Sequence, residues 1–373
     1  MAGLYVHIPF CARACTYCDF HFTTRLRDRE DMVQALIAEL RSALPAWSGQ
    51  TFTTLYFGGG TPSVLRPAEL SAIAAAAMEG ADWALEEWTV EANPEDLDRE
   101  TLDELKAAGV DRLSIGVQSF QPEVLDWMNR LHGAAGAQNA VERAAEAGFE
   151  HLSLDLIYGV PVGGEDRWEQ DLGLACTLPV NHLSCYILTA EPKTLYGHQL
   201  ASGTLSPPPD DRVLEEYARL CEVTKSAGFE HYEVSNFARS EGRSRHNSAY
   251  WNGTPYLGIG PGAHSFLDGR RWWNARSNAR YLQAATTSDF PGQQETETLG
   301  AKNRFNEALI TGLRRVEGVA PADLIQLTGL DVTAQPALQG LLDRGRCEWV
   351  DGRLRIPEAQ WPLGDATTLE LMV

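Results

Sequence analysis

The chain has 373 residues and 44% hydrophobic content, enough for one large domain and a small one with a full core. A net charge of −20 and a pI of about 4.8 weigh against a nucleic-acid partner, because phosphate binding relies on clustered Lys and Arg. No apolar run is long enough for a transmembrane helix, and the N-terminus lacks the basic-then-apolar pattern of a signal peptide, so a cytoplasmic protein is expected.

The run Leu4 to Ile8 reads as a short buried strand that Pro9 ends. Behind it Cys11, Cys15 and Cys18 form a C-x3-C-x2-C array on one loop. Three thiolates cannot close a tetrahedral zinc site without a fourth ligand, for which His21 or Asp19 is the candidate. They can hold three irons of a [4Fe-4S] cube and leave the fourth open to a chelating ligand. Three unrelated thiols are the remaining alternative. Cys176, Cys185, Cys221 and Cys347 stand singly in apolar stretches and read as free thiols of a reducing compartment.

Val33, Leu36, Ile37, Leu40 and Leu44 recur at helical spacing, and Pro45 and Gly49 end that helix. The β-rich run Thr53 to Phe57 leads into Gly58-Gly59-Gly60-Thr61-Pro62. Glycines at a strand end let bare backbone groups approach a ligand; an ordinary turn is the alternative. Pro67 to Met78 reads as helix and Glu87 to Glu91 as strand. Glu91, just before Pro94, is either a capping residue or a ligand for hydroxyls or an ammonium. One phrase then recurs: Ala108-Gly-Val-Asp-Arg-Leu-Ser114, Ala147-Gly-Phe-Glu-His-Leu-Ser153 and Ala227-Gly-Phe-Glu-His-Tyr-Glu233, with a weaker copy at Pro179-Val-Asn-His-Leu-Ser184. Its glycine fits a helix C-cap, so repeated βα units and a parallel sheet with helices outside, either open or curled into a barrel, are expected. Six strands are predicted, at Tyr5–Ile8, Leu55–Phe57, Trp88–Glu91, Arg112–Val117, Leu152–Tyr158 and Leu183–Leu188. That is short of a closed eight-stranded barrel. Glu91, Gln118, Asp155 and Thr189 fall at strand C-terminal ends, with Arg130 just after the fourth strand, on the edge that carries chemistry in α/β barrels.

A Gly-Pro-rich connector, Gly203 to Asp211, precedes a helix with Val213, Leu214, Tyr217, Leu220 and Val223 on one face. His231 to Phe237 is a candidate extension of the sheet, and His246-Asn247-x-x-Tyr250-Trp251 breaks all periodicity. Gly258 to His264 is a second glycine-rich strand end. Three short helices, Asn303–Leu313, Ala320–Leu327 and Gln335–Leu342, and a hairpin turning at Asp351-Gly352 read as a winged-helix-like module. Given the acidity, a lid or docking surface suits it better than DNA binding.

Taken in order, the cysteine loop, Gly58-Gly-Gly-Thr-Pro62, Glu91, Gly116-Val-Gln118, Arg130, Asp155-Leu-Ile-Tyr-Gly-Val-Pro161 and the C-terminal module resemble the radical-SAM family of oxygen-independent coproporphyrinogen III oxidases and their relatives. The resemblance covers nearly the whole chain. It implies a partial (β/α)6 barrel with an appended C-terminal domain, and a [4Fe-4S] cluster on Cys11, Cys15 and Cys18. By the same resemblance Tyr5, Tyr17, Gly59, Gly60, Thr61, Glu91, Gln118, Arg130, Asp155, Thr189 and His264 match positions that contact S-adenosylmethionine. The organisation expected is a radical-SAM core at 1–240, a connector with the His-Asn-x-x-Tyr-Trp stretch at 241–295, and a helical, winged-helix-like domain at 296–373.

The chain departs from the oxidases in two places. Phe20 stands where they carry a fourth cysteine, and the motif begins almost at residue 1 where they have an N-terminal extension. Both departures, and the His246 to Trp251 stretch, are similar to the haem-chaperone branch of the family, whose members bind haem and pass it to other proteins. That branch implies haem as cargo, haem-acceptor proteins as partners, and membrane association only peripherally, through those acceptors. A haem iron takes an axial His, and aromatic rings stack on porphyrin; His246, Tyr250 and Trp251 supply these types, and Arg243 and Arg245 suit propionates. The alternative is that His246 and Asn247 pin a loop. No C-x-x-C-H occurs, so c-type attachment is not predicted. Radical decarboxylation of a porphyrinogen is the competing activity, and a zinc-loop regulator with a winged helix is the competing class. The three-ligand loop and the acidity weigh against the latter.

Overall fold

A computed structural model describes residues 1–164 and 166–373. The β-branched and aromatic runs form twelve strands of one sheet: β1 Ala2–Ile8, β2 Thr51–Gly59, β3 Asp82–Ala92, β4 Arg112–Gln118, β5 His151–Tyr158, β6 His182–Ile187, β7 Glu230–Glu233, β8 Asn236–Ala238, β9 Tyr256–Ile259, β10 His264–Leu267, β11 Arg270–Asn274 and β12 Gln294–Thr298. Their order is β12-β11-β10-β9-β1-β2-β3-β4-β5-β6-β8-β7. From β9 through β1 to β6 every pairing is parallel, and the flanking pairs are antiparallel. All six predicted strands are present, extended mostly at their N-terminal ends. With helices between them they form the partial (β/α)6 barrel.

Strand alternation divides the sheet into two unlike faces. Leu4, Val6, Ile8, Leu55, Phe57, Val90, Leu113, Ile115, Leu154 and Leu183 are fully buried and pack with the crossover helices in one core. The alternate residues are polar or aromatic and meet across strands instead: Tyr5 with Tyr56, Tyr56 with Glu91, Ser114 with Asp155, Ser153 with His182. The repeated phrase does what its glycine demands. Gly109, Gly148 and Gly228 take φ of 103°, 86° and 82°. The next residue then bonds back across the helix end, Val110 to Leu105, Phe149 to Ala144 and Phe229 to Thr224.

Residues 241–295, expected as a connector, form regular elements of the sheet. They contribute β9 to β11 and the start of β12, because Gly3 to Val6 offers a parallel edge that Tyr256 to Ile259 takes. The C-terminal part has helices Ala301–Gly312, Pro321–Thr328 and Leu338–Asp343, and a hairpin, β13 Glu348–Val350 and β14 Arg353–Arg355. Asp351 and Gly352 turn that hairpin with φ of 49° and 75°. This module is stitched to the sheet edge: Val316 N–H donates to Tyr232 C=O at 3.1 Å and Val234 N–H to Arg314 C=O at 2.9 Å.

Beyond β5 the chain is held by a buried ion pair. Glu216, on the helix Asp210–Ser226, accepts from the Gly159 N–H at 2.7 Å and from Arg167 at 3.0 Å, and the Arg167 side chain is fully buried. Removing one partner strands the other charge. Glu216→Ala is therefore expected to cost about 3–5 kcal/mol, read as a drop in the urea midpoint with unchanged slope; a loss under about 1 kcal/mol would contradict this account.

Candidate functional site

The cysteine loop is fixed at both ends by backbone bonds. At its root Cys11 N–H donates to Thr23 C=O at 3.1 Å, and Gly60 and Thr61 donate to Ile8 and Phe10 at 2.8 and 2.7 Å. At its tip Asn129 reaches the Ala14 C=O at 2.8 Å, and Tyr196 N–H bonds Thr16 C=O at 2.9 Å. The Cys11 sulfur accepts from the Thr61 hydroxyl at 3.5 Å and the Cys15 sulfur from Arg130 at 3.4 Å. Three thiolates on one loop suit a cube that takes one thiolate on each of three irons and leaves the fourth iron to a chelating ligand. Burial pushes the Cys11 and Cys18 thiols up to about 12 and about 11. Thiolates there need cationic company, and Arg130 supplies part of it.

Arg130 also donates to Asn93 Oδ1 at 3.1 Å and to the Gly116 C=O. Glu91 lies deeper on the inner face. It accepts from Tyr56 OH at 2.8 Å and from the Gly59 N–H at 3.1 Å. Gly59 sits at φ 107°, and a Cβ there would run into the His7 ring, so only glycine serves. Asp155 accepts from the Ser114 hydroxyl at 3.1 Å. The parallel register sets this row, aligning Glu91 with Ser114 and Asp155 with Ser184. Gln118 ends β4 in the left-handed region at φ 68°, where the β4–β5 register slips. Burial raises the Glu91 carboxyl to about 7, with the Asp155 charge adding to it, and raises Asp155 to about 6.

The structure thus gathers the cysteines, Gly59, Gly60, Thr61, Glu91, Gln118, Arg130 and Asp155 at one edge. Tyr5 lies beneath them on the inner face, its hydroxyl 3.2 Å from His7. Tyr17 packs with Val124, Met128, Ile157 and Val160 in a small separate cluster. Thr189 is exposed beyond β6, and His264 is exposed at the start of β10, stacked on Trp273. Asn93 and Ser114 escaped sequence reading as site residues. Ser114 had a signal: it closes the recurring phrase, and its counterparts Ser153, Ser184 and Glu233 occupy the inner face or the sheet edge in the same way.

His246, the haem-ligand candidate, lies on the inner face of the sheet. It is 2% exposed; its Nδ1 meets the Thr54 hydroxyl at 2.8 Å, its Nε2 meets Tyr250 OH at 3.1 Å, and its ring stacks on Tyr56. Both nitrogens are used, and burial lowers its pKa to about 3, so it props the inner face as a neutral ring. Arg243 is paired with Glu230 and Glu317, and Arg245 with Glu86, which leaves neither free for a propionate. Asn247, Tyr250 and Trp251 instead line a cleft of about 1010 Å³ beside β6, with Tyr186, Tyr217 and Trp361. It opens because β8 pairs only with His182 to Ser184 and leaves Tyr186 and Ile187 uncovered, 43% and 48% exposed. At its walls Trp251 Nε1, Trp361 Nε1, Asn236 Oδ1 and both Glu233 oxygens lack a well-formed hydrogen bond among the described residues.

Residues 5–175 match the Radical SAM superfamily. The chain is 34% identical over 352 residues to the haem chaperone HemW of Bacillus subtilis, covering 92% of each. It is 33% identical over 375 residues to HemW of Mycobacterium tuberculosis strain H37Rv, covering 99% of this chain and 94% of that one. Among solved structures it is similar to the coproporphyrinogen III oxidase HemN of Escherichia coli, a radical-SAM enzyme, with a TM-score of 0.86, 23% identity, and coverage of 100% of this chain and 90% of that one.

The two buried carboxyls make a pH prediction. Their folded pKa values, about 7 and about 6, lie above the ordinary 4.5 and 3.8, so the folded state holds these protons more tightly. The stability they confer is complete below the ordinary values and is lost as pH rises through 6 to 7. In ligand-free protein, Glu91→Gln and Asp155→Asn are expected to melt higher than the parent at pH 8, by on the order of 1–3 kcal/mol, and to flatten this slope. Melting curves from acid to alkaline pH would contradict this if both variants kept the parent's slope.

Proposed function

The chain belongs to the HemW family of radical-SAM proteins, and from that premise we propose that it binds haem as cargo and delivers it to acceptor proteins, while holding a [4Fe-4S] cluster and S-adenosylmethionine at the strand C-terminal edge. The observation that carries the haem reading is the cleft beside β6. Its volume of about 1010 Å³ is at the upper end for small-molecule sites, its walls are aromatic, and several buried polar atoms in those walls lack partners among the described residues. A flat, largely apolar macrocycle with a few polar substituents suits such a lining. Arg314 lines the same cleft and is paired with Asp365 at 2.7 Å.

Cys11, Cys15 and Cys18 would hold the cluster, which together with S-adenosylmethionine supplies one-electron chemistry when bound. This chain's own residues would do the positioning. The loop backbone at Gly59 and Gly60 approaches the ligand without side chains in the way. Glu91 and Asp155 accept from amino and hydroxyl groups, and Gln118 offers an amide. Arg130 offsets thiolate charge beside Cys15. The oxidase alternative draws less support. Its solved representative is similar in fold alone, whereas the haem chaperones match along the whole chain.

Two outcomes are expected. Anaerobic reconstitution should give one cluster per chain, lost in Cys11→Ser but kept in Cys185→Ser. Asp155→Ala should weaken S-adenosylmethionine binding by about 1.5–3 kcal/mol in calorimetry; unchanged affinity in both Asp155→Ala and Gln118→Ala would rule out this placement. For haem, a stoichiometric spectral titration is expected. Trp251→Ala should weaken it roughly tenfold, while His246→Ala should lower stability and keep bound haem. Protoporphyrinogen formed from coproporphyrinogen III above the enzyme-free control would overturn the chaperone reading.

A further inference from the structure

Behind the cleft wall three side chains of different elements converge. Cys221 comes from the helix Asp210–Ser226, His231 from β7, and Glu358 from the turn Glu358–Leu363. One ligand atom of each lies within 4.8 Å of the other two. Glu358 Oε1 is 2.7 Å and Cys221 Sγ 3.8 Å from the same atom, His231 Nδ1. A proton relay would use the two ring nitrogens for its two partners. Here both partners point at one nitrogen, which is the geometry of ligands around a centre.

We infer that Cys221, His231 and Glu358 form a binding site for a single divalent transition cation of the zinc class. Thiolate, imidazole and carboxylate are the three donor types zinc accepts, and three protein ligands leave a fourth position for water. Ligand atoms on one zinc lie on the order of 3.5 Å apart, so the site needs only a slight opening of the His231–Glu358 contact and a small approach of the sulfur. The imidazole is held ready. It stacks on Phe237 at 3.9 Å and meets the edge of Trp361 at 4.4 Å, and its side chain is 5% exposed. Its Nε2 is buried without a hydrogen-bond partner and carries the proton when Nδ1 binds the ion. The Glu358 side chain is 47% exposed, so the ion and its water enter from that side, through a hollow of about 320 Å³ flanked by Lys225 and Arg355.

The site spans a seam. Cys221 and His231 belong to the barrel, and Glu358 to the C-terminal part, whose Trp361 lines both this hollow and the cleft. Tyr217, a cleft residue one helical turn before Cys221, donates to the Glu358 carbonyl at 2.9 Å. A bound cation therefore clasps the wall of the cleft to the barrel. Binding of the cation stands by itself; its effect on haem rests on the function proposed above.

The test uses full-length protein with its iron and sulfide in place, stripped of other metals by a mild chelator, and titrated with zinc chloride by calorimetry. One zinc per chain is expected, with a higher melting temperature. In Cys221→Ser and in Glu358→Gln zinc affinity should fall at least about tenfold and the thermal shift should vanish, with iron and sulfide content unchanged. Zinc binding that neither substitution weakens, or no zinc bound to the parent, would overturn the site. A haem titration of the same samples separates the two readings: zinc bound with no haem uptake leaves the metal site standing and removes the chaperone function.

Discussion

A buried polar group must find a hydrogen-bond partner, and the inner face of this sheet is made of such groups. Tyr5, Tyr56, Glu91, Ser114, Ser153, Asp155 and His182 alternate with the apolar residues that face the helices, so every strand brings polar atoms inward. Most are answered by a partner on a neighbouring strand or helix. Tyr56 donates to Glu91, Ser114 to Asp155, Thr54 pairs with His246, and Ser153 with His182. Because the pairings cross strand boundaries, the register of the parallel sheet and the chemistry of its interior are one constraint. A slip of one residue would turn these groups into the apolar layer and the leucines into the site.

That constraint explains why the site sits at the edge. Lower on the inner face the polar groups satisfy one another. Toward the strand ends Glu91 and Asp155 keep hydroxyl and backbone donors, yet burial leaves both with raised pKa values. Such carboxyls disfavour the empty folded state and favour a ligand that donates to them. The cysteine loop and Arg130 lie over the same edge, pinned by backbone bonds to Ile8, Phe10 and Thr23. His246 belongs to the satisfied part. Its two ring nitrogens complete the inner face, bonded to Thr54 and Tyr250.

The sheet ends differently at its two margins. Beside β1 the strands β9 to β12 continue it. Beside β6 only a short antiparallel pair follows, covering Asn236 to Ala238 against His182 to Ser184. The uncovered end of β6, the helix after it and the C-terminal module enclose the cleft. The module is therefore a wall, joined to the barrel by backbone bonds at Tyr232 in β7 and at Val234 just after it, and by the side chains gathered around His231.

The amino-acid sequence by itself determined the order of the six parallel strands and the helices between them, the cysteine loop and the strand-end residues. Those follow from local signals: period-two and helical spacing, prolines and glycines at element ends, and three cysteines within one loop. It also carried the inner row, since each copy of the recurring phrase closes on Ser114, Ser153, Ser184 or Glu233. Only the tertiary structure decided what residues 241–295 become, because an edge strand is chosen by the free margin of β1 rather than by its own composition. Only it decided that His246 faces inward between Thr54 and Tyr250 while Tyr250 and Trp251 reach the cleft, since a helix turns its side chains about the axis and packing selects which side is buried. The meeting of Cys221 and His231 with Glu358 was equally invisible, because it joins residues far apart in the chain and depends on the docking of the C-terminal module.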